Sequence, residues 1–494
     1  MTTPHPTPPP GVDYRNRYWV LLAIGMGIFL GTIDGSIVNA ALPTLVEELD
    51  TGFASVQWVV LAYLLTQATL VLSIGRLGDM IGKKRIYTAG FGLFTVGSVL
   101  AGLAPGVELL VMFRILQAIG SAMIFALGFA IVTEAFPPSE RGRALGINGA
   151  VVSVGIAIGP ALGGILIESL SWRWIFFVNL PVGIIGIWTA HRFIPDTPPP
   201  GKQRFDFPGA AAFFFGLLAL MLALTLGQDV GFASPAILAL FATALAGLVT
   251  FVLIELRVLQ PMLDLTLFRN RLLTINLITG WMVFVGIAGL IFLLPFYLQQ
   301  VLGYGPRALG LLLGIAPVAL GVVAPISGAL SDRIGQRPVI VVGLAVLVVG
   351  YLVAATLNET STIPHFAAAA VPIGVGIGVF QSPNNSAVMG SVPRERLGVM
   401  SGSLTITRIV GQLSGIAILG TLWAARVGGS GGGSDPTSAP ATAQVTGLRQ
   451  TMLVIAALSL VALVLALWSA ATDRQRVGTG AAAPPGVVPP GDGP

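Results

Sequence analysis

Two ionisable residues, Asp34 and Arg114, lie well inside long apolar segments, and Asp34 is the only carboxylate so placed in the N-terminal half of the chain. If these segments cross a membrane, each charge costs about 2.5–3.5 kcal/mol even on the more lenient insertion scale. Because burial disfavours the ionised form of a carboxylate, Asp34 is a candidate for binding and releasing a proton. A carboxylate that only caps or anchors a helix is the alternative.

The positions of the two residues along their segments predict that they meet. Asp34 precedes Pro43, near the end of the first segment, by nine residues, and Arg114 follows Glu108, at the start of the fourth, by six. A helix rises ~1.5 Å per residue, so the two depths differ by only ~5 Å if the segments run in opposite directions. We expect Arg114 to pair with Asp34, directly or through water. A purely structural ion pair, or an arginine bound to backbone carbonyl groups, is the alternative.

Fourteen apolar segments could supply the helices that position these residues. A spanning helix needs ~20 mostly apolar residues, and continuously apolar runs favour helices over the strands of a barrel. The segments lie near 18–42, 54–74, 86–105, 108–131, 144–167, 174–194, 208–227, 235–256, 273–298, 307–330, 338–357, 366–390, 398–424 and 449–471. The chain is 54% hydrophobic and only 10% charged, whereas soluble domains contain about 25% charged residues. We therefore expect an all-α integral membrane protein.

Lysine and arginine residues predict the orientation of these segments. Twenty of them fall on the side that holds both termini, and four fall in loops on the other side. Because cytoplasmic loops carry the excess of positive residues, we expect a multi-pass protein of the cell membrane with both termini in the cytoplasm. The net charge of +5 follows from this topology and gives no reason to expect a nucleic-acid partner.

A short loop occurs twice in the chain. Residues 75–85 read GRLGDMIGKKR and residues 328–338 read GALSDRIGQRP, with five identities at a constant offset of 253. The copies follow the second and tenth segments, so eight helices separate them. A six-plus-six duplication accounts for six helices and leaves the pair at 208–256 as an insert. Internal duplication of membrane helices is typical of secondary transporters.

The duplication predicts how the chain is organised. We expect a cytoplasmic tail at 1–17, an N-terminal six-helix bundle at 18–194, a linker with two extra spanning helices and an inner amphipathic segment at 195–272, a C-terminal six-helix bundle at 273–471 and a disordered cytoplasmic tail at 472–494.

The repeated loop has more features than topology alone requires. Its glycines permit a tight turn and a close backbone approach, and Asp79 could accept hydrogen bonds from a helix N-terminus or from an arginine of a neighbouring loop. We expect a latch that holds one conformation, with a weaker second copy because that copy has lost two bases. The latch candidates are Gly75, Asp79, Gly82, Lys83, Arg85 and Asp332.

A stripe of small residues follows in the fifth segment. Gly155, Gly159 and Gly163 recur at every fourth position, a spacing that lets two membrane helices approach closely. Pro160 lacks an N–H group and can bend the helix. Tight packing is the simplest role for this stripe.

Five motifs in this order resemble the major facilitator superfamily, in its 14-helix drug:proton antiporter branch. They are DGSIVNAALP at 34–43, the loop at 75–85, FRILQAIG at 113–120, GIAIGPALGG at 155–164 and WRWIFFVNLP at 172–181. The resemblance covers nearly the whole chain and implies the major facilitator fold of two six-helix bundles with two inserted helices. It further implies that Arg114 helps to set proton release at Asp34, and that the glycine stripe helps to close the path between the bundles and to prevent leak.

Polar and aromatic residues in several segments are candidates for lining a central cavity. They are Asn39, Gln117, Trp281, Phe284, Tyr297, Gln381, Asn384 and Arg408. Aromatic residues alone would be weak evidence, because most of them in membrane helices face lipid or pack. Together with one acid and several amides, they would suit a bulky amphipathic molecule, which could be cationic.

The energy source follows from what the sequence lacks. There is no cysteine, and none of the three histidines lies deep inside an apolar segment, so we expect no disulfide, cofactor or buried metal site. The chain has no G-x-x-x-x-G-K-[ST] loop for ATP. An ion gradient remains, and Asp34 makes protons the simplest choice.

The leading hypothesis is proton-driven export of a small lipophilic compound by alternating access, without enzymatic activity. The expected partners are protons, this substrate and the lipid bilayer, and we expect a monomer. Symport of a small polar solute is one alternative, although it would normally need more polar groups in the C-terminal half. A membrane receptor or membrane-embedded enzyme is the other, and it would need clustered catalytic groups or a folded domain outside the membrane.

Overall fold

The computed structural model describes residues 14–137, 140–196, 206–258, 270–391, 397–429 and 435–478. Most of the two expected tails, and most of the expected amphipathic segment after the inserted helices, lie outside these ranges. Within them the chain forms sixteen α-helices. These are α1 (Arg17–Glu48), α2 (Phe53–Ile81), α3 (Lys83–Gly102), α4 (Val107–Ala135), α5 (Arg141–Ser169), α6 (Trp174–Phe177), α7 (Asn179–Phe193), α8 (Phe207–Val230), α9 (Pro235–Glu255), α10 (Arg271–Phe296), α11 (Pro306–Leu313), α12 (Ile315–Ile334), α13 (Gln336–Ala354), α14 (Ile363–Gly390), α15 (Leu397–Gly429) and α16 (Ala441–Gly478).

Thirteen segments of the described chain are helical, long enough and apolar enough to cross a membrane. Three of them join consecutive elements: α6 with α7, α10 with a following π-helical turn (Tyr297–Val301), and α11 with α12. The expected segment 86–105 corresponds to α3, which is not among the thirteen because three basic residues open it and glycine, serine and threonine dilute its apolar residues. The all-helical membrane fold is thus confirmed, but the count of fourteen is not.

The helices pack in two groups. In the first, α1 packs on α4, α5 and α7, while α3 packs on α4 and α7, and α2 packs on α4. In the second, α10 packs on α15 and α16, α13 packs on α14 and α16, and α12 packs on α14. The helices α8 and α9 pack on each other, and α8 contacts α2 and α15, one helix from each group. The exact domain boundaries stay predictions.

Both copies of the repeated loop make the same turn. Gly82 joins α2 to α3 with φ +103°, and Gly335 joins α12 to α13 with φ +91°. This region of φ favours glycine because a Cβ atom would be strained there. We call the end of the molecule that contains these two turns the basic end, because Lys83, Lys84 and Arg85 lie there, and the opposite end the far end.

The glycine stripe of α5 lies against α1. A Cβ atom at Gly155 or Gly159 would overlap the hydroxyl groups of Thr32 and Ser36. Ser36 also donates a hydrogen bond from Oγ to the carbonyl oxygen of Gly155 at 3.1 Å. The small residues therefore bring α5 into backbone contact with the segment of α1 that contains Asp34, as close packing of membrane helices requires.

The adjoining side of α5 contacts the second group. A Cβ atom at Gly164 would overlap the carbonyl group of Pro306 at the start of α11, and one at Gly310 would overlap the carbonyl group of Pro160. The same motif thus packs α5 on α1 within its own group and on α11 across the interface between the groups.

An aromatic cluster joins the two groups at the far end. The ring of Phe53, at the start of α2, lies 5.3 Å from the rings of Phe292 and Phe296 and 4.9 Å from that of Trp423. Aromatic pairs at such distances add to the energy of simple burial. The start of α2 is therefore embedded among side chains of α10 and α15.

Polar contacts at the far end reinforce this cluster. Gln57 donates from Nε2 to the carbonyl oxygen of Ile416 at 2.8 Å, and Gln299 donates from Nε2 to Glu47 Oε1 at 3.3 Å. The backbone N–H of Phe53 donates to Oδ2 of Asp435, in the connection between α15 and α16, at 3.2 Å. These contacts close the far end between the two groups.

Candidate functional site

A buried ion pair lies at the centre of the first group. Asp34 is 0% exposed and Arg114 is 1% exposed. The guanidinium Nη1 of Arg114 donates directly to Asp34 Oδ2 at 2.5 Å, as expected for a strong charge-assisted hydrogen bond. The two residues come from α1 and α4, at matching depths in antiparallel helices.

Two amides complete the coordination of the carboxylate. Gln117 donates from Nε2 to Asp34 Oδ1 at 2.8 Å and accepts from Arg114 Nη1 at 2.6 Å through its Oε1. Asn179, at the start of α7, donates from Nδ2 to the same Asp34 Oδ1 at 3.3 Å. Both carboxylate oxygens are therefore hydrogen-bonded, which stabilises the ionised form.

Two of these placements were not expected. Gln117, a cavity candidate, is fully buried and bridges the ion pair. No role for Asn179 is predicted from the sequence, although it belongs to the motif at 172–181. A polar residue inside an apolar motif was the available signal, but its approach to Asp34 depends on how α7 packs on α1.

Close helix packing positions Gln117. A Cβ atom at Gly97 of α3 would lie 2.6 Å from the backbone nitrogen of Gln117. The absent side chain lets α3 approach α4 at this level. Ser98, the next residue of α3, accepts from Asn179 Nδ2 at 3.0 Å and donates to the carbonyl oxygen of Phe176 at 2.8 Å. A single close approach therefore fixes both amides that contact Asp34.

The other side of Arg114 packs on α2. Its Nε donates to the carbonyl oxygen of Val59 at 3.3 Å, and its guanidinium carbon lies 4.1 Å from the centre of the Tyr63 ring. A cation above an aromatic face is stabilised by the ring quadrupole. The Tyr63 hydroxyl donates to Ser121 Oγ at 2.7 Å, and Gln67 Nε2 donates to the same oxygen at 3.0 Å. Polar groups thus extend from the ion pair towards the basic end.

The cavity candidates of the second group divide between two regions. Trp281 and Phe284 are partly buried on α10, Asn384 is 3% exposed on α14, and Arg408 lies on α15 with its guanidinium carbon 5.3 Å from the ring centre of Phe284. Tyr297 instead lies near the far end and is buried, and its hydroxyl donates to the carbonyl oxygen of Asn358 at 2.7 Å. Tyr297 therefore packs against a loop and does not face a central cavity.

Two further candidates are less constrained. Asn39 is half-buried and donates from Nδ2 to the carbonyl oxygen of Gly35 at 2.6 Å, within its own helix. Its Oδ1 is buried without a hydrogen-bond partner. Gln381 is half-buried on α14. Neither residue contacts the ion pair.

The expected latch is only partly described. The side chain of Asp79 lies outside the described residues. Lys83 forms an ion pair with Glu134 at the end of α4, while Arg85 and Asp332 are exposed. Gly75 does not serve a close approach, because a Cβ atom there would meet open space. Among the described parts of the loop, the turn at Gly82 and the contact of Lys83 have a visible structural role.

Comparisons with known proteins agree with this architecture. The model of the Major Facilitator Superfamily matches residues 24–417 and, in a second match, residues 277–490. The chain is 34% identical over 411 residues to the riboflavin transporter RibZ of Clostridioides difficile (strain 630), covering 83% of this chain and 89% of RibZ. It is 35% identical over 417 residues to the multidrug resistance protein Stp of Mycobacterium tuberculosis (strain ATCC 25618 / H37Rv), covering 83% of this chain and 76% of Stp.

The fold is also found among solved structures. The crystal structure of a bacterial homolog of the human lysosomal transporter Spinster superposes with a TM-score of 0.65 at 20% identity, covering 93% of this chain and 98% of that chain. At this identity the likeness shows the shared fold alone. The family match and the two sequence relatives show more: this chain belongs to the major facilitator superfamily, and it is a multi-pass membrane transporter and not an enzyme.

Proposed function

We propose that the protein is a proton-coupled antiporter that exports lipophilic compounds by alternating access. The observation that carries this proposal is the carboxylate of Asp34, which is fully buried and hydrogen-bonded by Arg114, Gln117 and Asn179. An ionisable residue placed in this way within a membrane bundle is typical of proton relays.

Protonation of Asp34 would change the contacts of Arg114. A neutral carboxylic acid no longer attracts the guanidinium group as an ion, so Arg114 would depend more on Val59 and on the ring of Tyr63. Both of these residues lie on α2. The same helix begins with Phe53 and Gln57, which contact α10 and α15 at the far end. Proton binding and the closure of the far end therefore share one rigid element, as coupling between two sites requires.

A second connection runs through α1. Asp34 lies between Thr32 and Ser36, which contact the glycine stripe of α5. The helix α5 in turn packs on α11 through Pro160 and Gly164. A shift of α1 on proton binding would thus reach both interfaces between the helix groups.

The direction and class of transport are supported by relatives. Stp is named a multidrug resistance protein, which favours export of foreign compounds. RibZ is named a riboflavin transporter, and this name keeps proton-coupled symport of a small polar solute as a second candidate. Among the described residues of the second group, the buried polar side chains are mostly hydroxyl groups and no carboxylate is buried, which favours the first.

The decisive test is substrate-driven proton release in proteoliposomes, with Nile red as a neutral lipophilic probe. Asp34→Asn removes the titrating group and should abolish proton release. Because the change also leaves the buried Arg114 without its counter-ion, membrane insertion and thermal unfolding of the variant are measured alongside. Asp50→Asn is the matched control: Asp50 is exposed, with φ 45°, a conformation that asparagine tolerates. Undiminished proton coupling in Asp34→Asn would refute the proposal, and uptake of Nile red together with protons would favour symport.

A further inference from the structure

Arg408 differs from Arg114 in having no counter-ion. Among the described residues no aspartate or glutamate lies within ion-pair distance of Arg408, and its Nε has no hydrogen-bond partner. The three helices that meet around it, α10, α14 and α15, contain no acidic residue anywhere in their sequences. A charge inside a membrane protein normally pairs with another charge or with backbone carbonyl groups. Within the described part of the chain, the positive charge of Arg408 therefore has no negative charge to balance it.

Two buried amides beside this helix junction also lack partners. Asn276 is 6% exposed and Asn384 is 3% exposed. Nδ2 of Asn276 and Oδ1 of Asn384 are buried without hydrogen bonds. Since buried polar groups are almost always hydrogen-bonded, a free donor and a free acceptor on the helices that adjoin α15 indicate a place where a ligand supplies the missing partners.

The helix geometry brings these groups to one junction. Asn276, Gly280 and Phe284 recur at every fourth position of α10 and so share one face. A Cβ atom at Gly280 would lie 3.4 Å from Nδ2 of Asn384 and 3.9 Å from the methyl carbon of Thr407. Thr407 immediately precedes Arg408 on α15. One face of α10 is thus bordered by the amide of α14 and by the turn of α15 that bears the arginine.

The buried carboxylate of the first group is not available to a cationic substrate. Asp34 is fully buried, and both of its oxygens accept hydrogen bonds from side chains. Its charge is balanced by Arg114. In the described parts of α10, α14 and α15, by contrast, Arg408 adds a positive charge with no acidic residue beside it. A positive potential inside a low-dielectric protein attracts anions and repels cations.

We propose that Arg408, with the amides of Asn276 and Asn384, binds the anionic oxygen of an acidic aromatic substrate. The ring of such a substrate would pack beside Phe284 and Trp281, which are partly exposed on α10. The free Nδ2 of Asn276 would donate to the anionic oxygen, and the free Oδ1 of Asn384 would accept from a neighbouring hydroxyl or N–H group. This assignment rests on the proposed function, because the substrate must enter the interior of the transporter to reach Arg408. It predicts that acidic compounds bind in preference to cationic ones.

Three probes with one ring system test the charge preference. They are 9-anthracenecarboxylate, 9-anthracenemethanol and 9-anthracenemethylamine, which at neutral pH are an anion, a neutral molecule and a cation. Equilibrium binding of each to the purified full-length protein is measured by dialysis, without a membrane gradient. The wild-type protein should bind the carboxylate at least about tenfold more tightly than the alcohol, because hydrogen bonds to charged groups contribute that much or more. It should bind the amine most weakly.

Substitutions of two arginines on α15 test whether Arg408 causes the preference for the anionic probe. Arg408→Gln removes the charge and should reduce carboxylate binding to the level of the alcohol, while binding of the alcohol stays unchanged. Arg408→Lys keeps the charge and should retain most of the preference. The matched control is Arg426→Gln, an exposed position near the far end of α15, which should behave as wild type. Size-exclusion profiles and thermal unfolding check that each variant is folded.

Several results would overturn the assignment. The first is equal binding of the carboxylate and the amine by the wild type, and the second is a lack of saturable carboxylate binding. The third is an equal loss of binding of all three probes in a folded Arg408→Gln variant, which would indicate that Arg408 has a structural role. Failure of the proposed function looks different. If the carboxylate binds through Arg408 but the wild type releases no protons on addition of substrate, or the Asp34→Asn variant still releases them, the anion site stands and the proposed proton-coupled export through Asp34 fails.

Discussion

Gln57 of α2 donates a hydrogen bond to the main-chain carbonyl oxygen of Ile416 of α15, and so joins the two helix groups directly. The distance is 2.8 Å and Gln57 is 0% exposed. A Cβ atom at Gly420, one turn further along α15, would lie 2.6 Å from the same side-chain nitrogen. The glycine thus leaves the space that the glutamine occupies, and opening of the far end would break the contact.

Gln57→Leu should therefore shift the population away from the closed far end. The change removes a buried hydrogen bond worth about 1 kcal/mol and leaves a carbonyl oxygen without its partner, which is enough to alter a two-state balance severalfold. The readout is the yield of cross-linking between Glu47→Cys and Gln299→Cys, whose native side chains touch at the far end. The native chain has no cysteine, so the background is clean. Gln450→Leu on α16 is the control, and an equal yield in both variants would contradict the gate role.

Gly159→Val should destabilise the packing of α1 on α5. The added side chain would overlap Ser36, and overpacking of this kind costs about 1–3 kcal/mol. Thermal unfolding followed by fluorescence should show a lower midpoint and a loss of transport. Gly92→Ala on α3 is the counterpart, since a Cβ atom there meets open space, and it should be neutral or slightly stabilising. A wild-type midpoint in Gly159→Val would show that the helices can separate freely at this level.

Arg114→Lys should move the pH profile of transport upward. Lysine keeps the charge but has its donors on a single nitrogen, so it does not reproduce the planar fork that donates to Asp34, Gln117 and the carbonyl oxygen of Val59. The weaker ion pair holds the negative charge of Asp34 less well, and we therefore expect transport to reach its midpoint at a higher pH. Probe efflux from proteoliposomes measured over a series of pH values gives the midpoint. Arg173→Lys at the far end should leave it unchanged, and a lower rate at an unchanged midpoint would assign Arg114 a structural role.

The predicted orientation of the protein in the membrane can be tested by labelling introduced cysteines. Ser438, in the connection before α16, is exposed at the far end, and Lys84 lies at the basic end. If the far end faces outward, a membrane-impermeant maleimide should label Ser438→Cys in intact cells. It should label Lys84→Cys only after the cells are opened. Equal labelling of both in intact cells would reverse or invalidate the topology.

The ion pair was predictable because helical rise converts sequence position into depth. Asp34 and Arg114 occupy antiparallel helices, so counting residues from their ends is enough to place them at one level. The contact of Asn179 was not predictable in this way. It depends on the lateral packing of α7 against α1 and α3, which follows from the close approach of α7 to α3 at Gly183 and not from depth.

In the second group, too, the sequence does not predict which way each helix turns its side chains. Residue type alone predicts the cavity candidates Trp281, Phe284, Asn384 and Arg408. The structure brings the last three to the junction of α10, α14 and α15. Tyr297 was chosen on the same grounds but lies against a loop. Residue type says what a side chain can do, whereas the rotation of the helix about its axis decides where it points.

The N-terminus of α2 has a cap that comes from the other half of the protein. Gly52 precedes the helix and has no side chain to accept a hydrogen bond, and Asp435 accepts one from the backbone of Phe53 instead. A capping side chain contributes about 0.5–2 kcal/mol to a helix. When the halves separate at the far end, this energy is lost and water must solvate the uncapped amide. Each transport cycle would therefore break and re-form the cap at the N-terminus of α2. The free energy needed to uncap this helix is then part of the barrier to opening of the far end.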